Sequence, residues 1–189
     1  MSGLYLASQS PRRTELLHQV GIDHIVVTSS YVEKNVVTKD PIEMVRAQAL
    51  GKARCADNVP NDAIVLGADT IVVFDGQVLG KPHSKDEARV MLRTLSGQVH
   101  SVITGVAMLI KGHEIVFHNE TKVYFKTLQD FEIESYIDSL EPMDKAGAYG
   151  IQGKGALWVD KIEGSYSNVV GLPVEQVYEE LCKALGVKE

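Results

Sequence analysis

The stretch that decides the fold is Leu4-Tyr-Leu-Ala-Ser-Gln-Ser-Pro-Arg-Arg-Thr-Glu-Leu-Leu17, in which a short apolar run turns directly into the start of a helix. Residues 4–7 predict a buried strand. Ser10 is a favourable N-cap and Pro11 a favourable first helical residue, because proline has no N–H to leave unpaired there. This segment therefore predicts a strand, a tight turn and a helix that ends near residue 21.

Two arginines, Arg12 and Arg13, fall in the first turn of this predicted helix. Cations at that end oppose the helix dipole, which reverses the usual benefit of about 0.3–1 kcal/mol for a favourable charge. Together with the hydroxyls of Ser8 and Ser10 and the unpaired N–H groups of the turn, they would form a cradle for an anion. The alternative is a solvated pair of arginines on an ordinary helix.

Composition limits the classes of protein that need to be considered. A chain of 189 residues with 44% hydrophobic content predicts a single domain over residues 1–189, or one domain with two lobes. The net charge of −6 argues against stable nucleic-acid binding. No apolar run approaches the roughly 20 residues of a membrane span, and the start of the chain does not resemble a signal peptide, so we expect a cytoplasmic protein. Cys55 and Cys182 lack the spacing of a zinc site and are expected to be buried thiols.

Helices and strands alternate through the rest of the chain. Asp40-Pro-Ile-Glu43 and Ser84-Lys-Asp-Glu87 are helix starts with capping residues. The turns Asp75-Gly76 and Lys111-Gly112 predict hairpins, whose strands are antiparallel, so we expect a mixed sheet. The further predicted strands span residues 24–27, 63–74, 77–79, 98–110, 114–119, 123–125 and 156–162. The further predicted helices run from 40 to 57, from 84 to 95, from 127 to 140, and from 173 to 186.

Asp69 is the most informative carboxylate in the sequence, because it lies in the middle of the apolar run 63–74. A carboxylate in a central strand is costly unless it is paired, hydrogen-bonded or bound to a metal. Gly67, two residues earlier, would let a ligand approach the backbone. A functional role is favoured, and the alternative is a structural aspartate satisfied by neighbouring amides.

Four cations, two carboxylates and several small polar groups form the candidate inventory. Cations neutralise phosphate oxygens, and a hard metal ion takes carboxylate and phosphate ligands, so the set fits a polyphosphate with a divalent metal. The chain has no GxxxxGK[ST] motif and is not a P-loop protein. For Lys52 a solvated helix lysine remains open, and His100 is expected to be a structural, hydrogen-bonded residue. The candidates are Arg12, Arg13, Lys52, Lys81, Glu33, Asp69, Thr70 and Gln152.

Six motifs follow one another along the chain. They are Ser8-Gln-Ser-Pro-Arg-Arg13, Gly67-Ala-Asp-Thr70, Gly80-Lys-Pro82, Ser96-Gly97 with His100, Asp144-Lys-Ala-Gly-Ala-Tyr-Gly-Ile-Gln-Gly153, and Gly164-Ser-Tyr with Asn168-Val-Val-Gly-Leu-Pro173. Each is modest alone, but the set resembles the Maf family of nucleoside triphosphate pyrophosphatases over nearly the whole chain. The resemblance implies an α/β fold with an elongated mixed sheet flanked by helices and two lobes with a cleft, similar to the inosine triphosphatase-like fold.

The resemblance also implies an activity and a set of catalytic residues. The expected reaction is hydrolysis of a nucleoside triphosphate to the monophosphate and pyrophosphate, with a divalent cation (Mg²⁺ or Mn²⁺), in the cytoplasm and possibly as a homodimer. Asp69 matches the family's proposed proton acceptor, and Lys52 and Lys81 match further catalytic positions. Glu33 together with Asp69 is expected to hold the metal.

The remaining matched positions are expected to bind the substrate. Arg12, Thr70 and Gln152 match the specificity positions, and Ser8 and Arg13 match other residues of the site. The segment from Asp144 to Gly153 resembles the branch that acts on dTTP and UTP, and we expect backbone groups near Gln152 to lock its amide. Two alternatives stay open, a pyrophosphatase that acts on 7-methyl-GTP or on modified pyrimidine nucleotides, and a nucleotide-binding regulator of septum formation without turnover.

Overall fold

A computed structural model of the chain describes residues 3–33 and 40–186. Within these residues the strands form a seven-stranded sheet in the order β2-β1-β3-β5-β6-β7, and β4 pairs with β3 at its side. The strands are β1 (Leu4–Leu6), β2 (Ile25–Val26), β3 (Ile64–Phe74), β4 (Gln77–Leu79), β5 (Val99–Ile110), β6 (His113–Phe125) and β7 (Val159–Glu163).

The helices follow the predicted capping signals. Asp40 accepts a hydrogen bond from the Ile42 N–H at 2.9 Å, and Ser84 accepts one from the Glu87 N–H at 3.1 Å. Gly186 ends the last helix with a φ of 68°. The helices are α1 (Pro11–Gln19), α2 (Pro41–Arg54), α3 (Lys85–Leu95), α4 (Asp130–Asp138), α5 (Tyr166–Val170) and α6 (Val174–Leu185), with 3-10 segments at Glu141–Asp144, Ala146–Ala148 and Lys154–Trp158.

The prediction of a mixed sheet flanked by helices is confirmed. Strand β1 runs parallel to both β2 and β3, with Tyr5 opposite Ile25 on one side and Val65 on the other. The Asp75-Gly76 turn closes an antiparallel hairpin between β3 and β4, and β6 and β7 are also antiparallel. The Asp75-Gly76 turn therefore predicted the direction of its two strands correctly.

Strand β6 differs from the prediction. The sequence predicts separate strands at 114–119 and 123–125, and this is wrong, because β6 is unbroken from His113 to Phe125. The polar residues between the two runs contain no glycine or proline to end a strand. Among them, Thr121 is fully buried, donates to the Ser165 carbonyl at 3.0 Å and accepts from the Asn168 side-chain N–H at 3.0 Å. A satisfied threonine thus continues the strand through its polar middle.

Three smaller expectations are also corrected. Strand β7 begins at Val159 rather than at 156, because residues 154–158 form a 3-10 turn. The Ser10 side chain makes no capping hydrogen bond, although Ser10 is the N-cap of α1. Cys55 and Cys182 are free thiols, as expected, but they are only partly buried.

The chain divides into two compact units by its internal contacts. The first unit contains Thr104–Asn119 and the described parts of Met1–Asp69 and Gly171–Glu189. Part of its core is built from small side chains, which let α2 lie directly on the sheet. The members of this cluster are Ala7, Ala49, Ala53, Val65 and Ala107.

The second unit contains Thr70–Ile103 and Glu120–Val170. Its core combines aliphatic side chains of α3 and α4 with an aromatic cluster that we define as His100, Phe125, Tyr136, Tyr149 and Trp158. Ion pairs join α3 to α4 along their length, at Lys85–Asp138, Arg89–Glu134 and Arg93–Asp130. The single-domain assignment for residues 1–189 stays a prediction.

None of the helices in residues 3–33 and 40–186 combines the length and the apolar composition that a membrane-spanning helix needs.

Candidate active site

Arg13 lies in the first turn of α1 and bonds to the residues that lead from β1 into this helix in the first unit. Its side chain is only 9% exposed. Its Nε donates to the Gly171 carbonyl at 2.8 Å, and its Nη1 donates to the Ser8 hydroxyl at 2.9 Å. The same hydroxyl accepts the Ser10 N–H at 3.3 Å. Ser8 therefore fixes both the turn and the guanidinium group.

The charge of Arg13 is balanced by acidic groups of the same unit. Burial lowers the pKa of the guanidinium, and the negative charges of Asp69 and Glu33 oppose that effect. The charge of Arg12, one residue earlier, lowers the pKa of Arg13 further. Arg12 itself is half-buried in the first turn of α1. Two adjacent guanidinium groups at a helix N-terminus make this end of the unit favourable for an anion.

Lys52 links the two carboxylates that the sequence singled out. Its Nζ lies 2.6 Å from Asp69 Oδ1 and 2.7 Å from Glu33 Oε1. The side chains of Lys52 and Asp69 are 17% and 15% exposed, whereas that of Glu33 is 62% exposed. The pair of Lys52 and Asp69 is therefore largely shielded from water, which strengthens their attraction.

The close approach of α2 to β3 places Lys52 beside Asp69. A Cβ added to Gly67 would lie 2.3 Å from the Ala49 carbonyl oxygen, so only glycine fits where the strand passes under the helix. The Ser29 hydroxyl also donates to the Lys52 carbonyl at 2.9 Å and holds the last turn of α2. The expectation that Gly67 lets a ligand approach the backbone is therefore wrong, because helix α2 occupies the space beside this glycine.

The donor set of Glu33 and Asp69 fits a divalent cation in part. Both carboxylates converge on one cation, the Lys52 ammonium, which shows that the site favours a positive charge at that place. No group of three or more His, Cys, Asp or Glu side chains in residues 3–33 and 40–186 is arranged to hold a metal ion. Two carboxylates with water and phosphate oxygens are a common set for Mg²⁺, which rarely has a complete protein cage.

Three of the predicted site residues belong to the second unit, namely Thr70, Lys81 and Gln152. Thr70 follows Asp69 in β3 and is half-buried, and Lys81 is exposed between β4 and α3. Next to Lys81, the Gly80 carbonyl accepts the Gly147 N–H at 3.0 Å. This bond ties the loop that carries Lys81 to the segment that leads to Gln152.

Gln152 lies in an irregular segment between two 3-10 turns and is half-buried. In the described part of the chain, no hydrogen bond holds its side-chain amide, so the expected lock on the amide is not made by these backbone groups. The backbone before it is held, because the Gly150 N–H donates to the Tyr136 hydroxyl at 3.1 Å.

His100 is structural, as expected from the sequence. It is 2% exposed, its Nε2 lies 2.7 Å from the Tyr149 hydroxyl, and its ring meets the edge of Phe125 at a centroid distance of 4.9 Å. Burial lowers its pKa to about 4. A histidine that stays neutral inside an aromatic cluster acts in packing rather than in proton transfer at neutral pH.

Two contributors to these sites were missed in the sequence. Gly171 carries the carbonyl that holds Arg13, and its φ of 128° requires glycine, but its distance of 158 residues from Arg13 gives no local signal. From the sequence, Tyr136 is an ordinary core residue of α4, and none of its neighbours indicates that its hydroxyl bonds to Gly150. The glycine in Asn168-Val-Val-Gly-Leu-Pro173 was visible as part of a motif, without its role.

The chain is similar to known proteins over almost its whole length. The model of the family described as Maf-like protein matches residues 3–184. The chain belongs to the Maf family. The chain is 51% identical over 181 residues to the dTTP/UTP pyrophosphatase of Symbiobacterium thermophilum, which covers 96% of this chain and 93% of that one. It is 49% identical over 180 residues to the dTTP/UTP pyrophosphatase of Carboxydothermus hydrogenoformans, covering 94% and 96%.

A third relative has a similar identity and coverage. The dTTP/UTP pyrophosphatase of Bacillus cereus is 46% identical over 181 residues, covering 96% of this chain and 95% of that one. All three alignments span both units of the fold, so the likeness is not confined to the turn at Arg13 or to the Lys52–Asp69 pair.

Proposed function

We propose that this protein is a nucleoside triphosphate pyrophosphatase that hydrolyses dTTP and UTP to the monophosphate and pyrophosphate. The observation that carries the proposal is the largely shielded pair of Asp69 and Lys52, in the same unit as the buried Arg13. A carboxylate able to accept a proton and guanidinium groups able to bind phosphate are the two requirements of this hydrolysis. The three relatives named dTTP/UTP pyrophosphatase support the choice of substrates.

In the proposed reaction Asp69 orients and deprotonates the water that attacks the α-phosphorus. The new bond joins this water oxygen to phosphorus, and the bond to the bridging oxygen breaks, so that pyrophosphate leaves. Arg12, Arg13 and the Ser8 hydroxyl bind phosphate oxygens, and the two guanidinium groups neutralise their charge. The negative charge that develops on these oxygens in the transition state is stabilised more strongly than the charge in the ground state.

Lys52 and Lys81 have electrostatic roles in this proposal. Lys52 compensates the negative charge of Asp69 and Glu33 before the substrate arrives, since its ammonium contacts both carboxylates. The ammonium group is also a phosphate ligand when it turns away from them. Lys81 is exposed and is assigned to the phosphates that leave as pyrophosphate.

Thr70 and Gln152 are proposed to select the base. Uracil and thymine present an acceptor, a donor and an acceptor on one edge, so a carboxamide can accept from N3–H and donate to a carbonyl oxygen at once. Cytosine reverses two of these groups. Gln152 is half-buried, which leaves its amide accessible to a ligand.

A divalent metal ion is part of the proposal. Glu33 and Asp69 would hold it, because their carboxylates already converge on one positive charge. When bound, the ion would polarise phosphate oxygens and lower the pKa of a water ligand. The identity of the ion, Mg²⁺ or Mn²⁺, is a question for the activity assay.

The test is a substrate panel with product analysis. The purified protein is given dTTP, UTP, CTP, GTP and 7-methyl-GTP with Mg²⁺ or Mn²⁺, and pyrophosphate and orthophosphate are measured separately. We expect pyrophosphate as the first product, the highest kcat/KM with dTTP and UTP, and loss of activity in excess chelator. Orthophosphate as the first product would exclude attack at the α-phosphorus. A preference for 7-methyl-GTP, or binding without turnover, would replace the proposed function.

A further inference from the structure

The Tyr136 hydroxyl connects helix α4 to the segment that carries Gln152. Tyr136 is 1% exposed, and its ring packs against Trp158 at a centroid distance of 4.6 Å. The hydroxyl accepts the Gly150 N–H at 3.1 Å and donates to Glu141 Oε1 at 3.0 Å. Burial raises the pKa of Tyr136, so the hydroxyl retains the proton that it donates. The backbone of Gly150 is thus fixed by a buried side chain whose hydroxyl makes two hydrogen bonds.

The Glu141 carboxylate contacts the other end of the same segment. A Cβ on Gly153 would lie 2.8 Å from Glu141 Oε1, the oxygen that accepts from Tyr136. Gly153 has a φ of 79°, which side-chain-bearing residues rarely adopt. The carboxylate therefore rests against a backbone that only glycine provides, one residue after Gln152.

Two further contacts restrict the segment between these ends. A Cβ on Gly155 would lie 2.3 Å from the Gly150 carbonyl oxygen, so the chain folds back closely on itself. Lys145 Nζ donates to the Glu141 carbonyl at 2.6 Å, and its stem lies 2.7 Å from where a Gly150 Cβ would be. Residues 150–153 are consequently held at both ends, although the amide of Gln152 is not.

We propose that Tyr136 and Glu141 are positioning residues for substrate selectivity, because together they fix the backbone of residues 150–153 and thereby the place of the Gln152 amide. The inference rests on the proposed function and adds two residues that do not touch the substrate themselves. An amide that binds the base distinguishes uracil from cytosine only when its backbone is fixed, because a mobile segment would let the amide adapt to cytosine. Loss of the Tyr136 hydroxyl should therefore weaken recognition of uracil and leave the chemical step unchanged.

The first experiment is Tyr136→Phe, which keeps the ring on Trp158 and removes both hydrogen bonds. We expect KM for UTP to rise about tenfold, because the loss of the two hydrogen bonds frees the backbone of residues 150–153, and kcat to stay within about twofold. We expect the ratio of kcat/KM for UTP to that for CTP to fall at least about fivefold. Trp158 is the only tryptophan of the chain, so its emission maximum reports whether the aromatic cluster is intact.

The matched control is Tyr149→Phe, which removes a buried hydroxyl of the same cluster. That hydroxyl bonds to His100 and makes no hydrogen bond to residues 150–153 among the described contacts. We expect a lower melting temperature with unchanged selectivity. A second pair of variants tests the acceptor: Glu141→Ala should reproduce the effect of Tyr136→Phe, whereas Glu141→Gln keeps an oxygen for Tyr136 and should retain the parent's ratio within about twofold.

Several outcomes would overturn the inference. Parent-like KM and selectivity in Tyr136→Phe would show that the hydroxyl does not position the segment. Equal loss of selectivity in Tyr149→Phe would show a general loosening of the cluster instead. If the parent binds UTP without hydrolysing it, the proposed function fails, and the ratio of dissociation constants for UTP and CTP, measured by calorimetry on the same variants, still decides the inference.

Discussion

The candidate residues of the two units are held by different kinds of interaction. In the first unit, Lys52, Asp69, Glu33 and Arg13 form a set of charged groups that compensate one another. In the second unit, the backbone around Gln152 is fixed by the Tyr136 hydroxyl, behind which lies a cluster of buried aromatic rings. Charge dominates the first arrangement, and packed rings with directional hydrogen bonds dominate the second.

This difference separates what must change during the reaction from what must stay fixed. Charged groups that neutralise one another can exchange partners when phosphates arrive, because each new contact replaces one of similar strength. A buried aromatic cluster has no comparable alternative partners and resists rearrangement. The phosphate chemistry is therefore expected to depend mainly on the first unit, with Lys81 of the second unit as a further phosphate ligand, and the choice of base on the rigidity of the second unit.

The largest effect is expected for Asp69→Asn, which tests the charged arrangement. The amide keeps the shape and an oxygen for Lys52 but cannot accept the proton, so kcat should fall by about 10²–10⁴ while UTP still binds. The matched control is Asp62→Asn, which changes an exposed carboxylate of the same unit and should leave kcat unchanged. Steady-state kinetics and calorimetric UTP binding measure the two effects, and a rate within about threefold of the parent would show that Asp69 is not the base.

The sequence singled out Asp69 but did not identify its partner. A carboxylate in the apolar run 63–74 is unusual by composition alone, so it could be recognised without a structure. The pairing of Lys52 with Asp69 depends on the small residues that bring α2 onto β3, and the sequence left a solvated lysine equally open. Local capping and turn signals predicted most elements, because they act within a few residues.

Long-range contacts explain what was missed. The bond from Arg13 to the Gly171 carbonyl and the bond from Gly150 to Tyr136 connect residues that no periodic pattern relates. The unbroken course of β6 depends on the burial of Thr121 against Asn168, which is a tertiary effect. Local polarity alone predicted a break there, and tertiary hydrogen bonding overrode it.

The second largest effect concerns the pH dependence of the aromatic cluster. Because burial lowers the pKa of His100 to about 4, the unfolded chain, with its ordinary value of 6.5, binds a proton that the native state does not bind. This contribution to stability is complete above pH 6.5 and is lost as the pH falls toward 4. Between pH 7 and pH 5 the loss amounts to about 2 kcal/mol.

Melting temperatures across this pH range test the effect. His100→Gln removes the titrating group and should give a smaller decrease in melting temperature between pH 7 and pH 5 than the parent shows. The matched control, His113→Gln, changes an exposed histidine and should follow the parent. Equal pH dependence in all three proteins would show that His100 is not held neutral, and the contrast between the charged groups of the first unit and the packed aromatic cluster of the second would then be wrong.

The smallest effect is expected for Gln152→Glu, which replaces the neutral amide of this segment with a carboxylate. A carboxylate can accept from N3–H of uracil but repels the carbonyl oxygen that the amide N–H would bind. We expect kcat/KM for UTP to fall at least about tenfold, equivalent to about 1.4 kcal/mol, mainly through KM. Gln98→Glu is the matched control, because it makes the same change at an exposed position of the same unit.

Kinetics on UTP, dTTP, CTP and GTP would relate this result to the comparison of the two units. If the first unit supplies only the phosphate chemistry, Asp69→Asn should slow all four substrates by a similar factor, whereas Gln152→Glu should act on UTP and dTTP more than on CTP and GTP. Equal selectivity in the parent and in Gln152→Glu would show that Gln152 does not read the base. Selection would then have to come from another group of the second unit, for which Thr70 is the next candidate because it matches a specificity position and is half-buried.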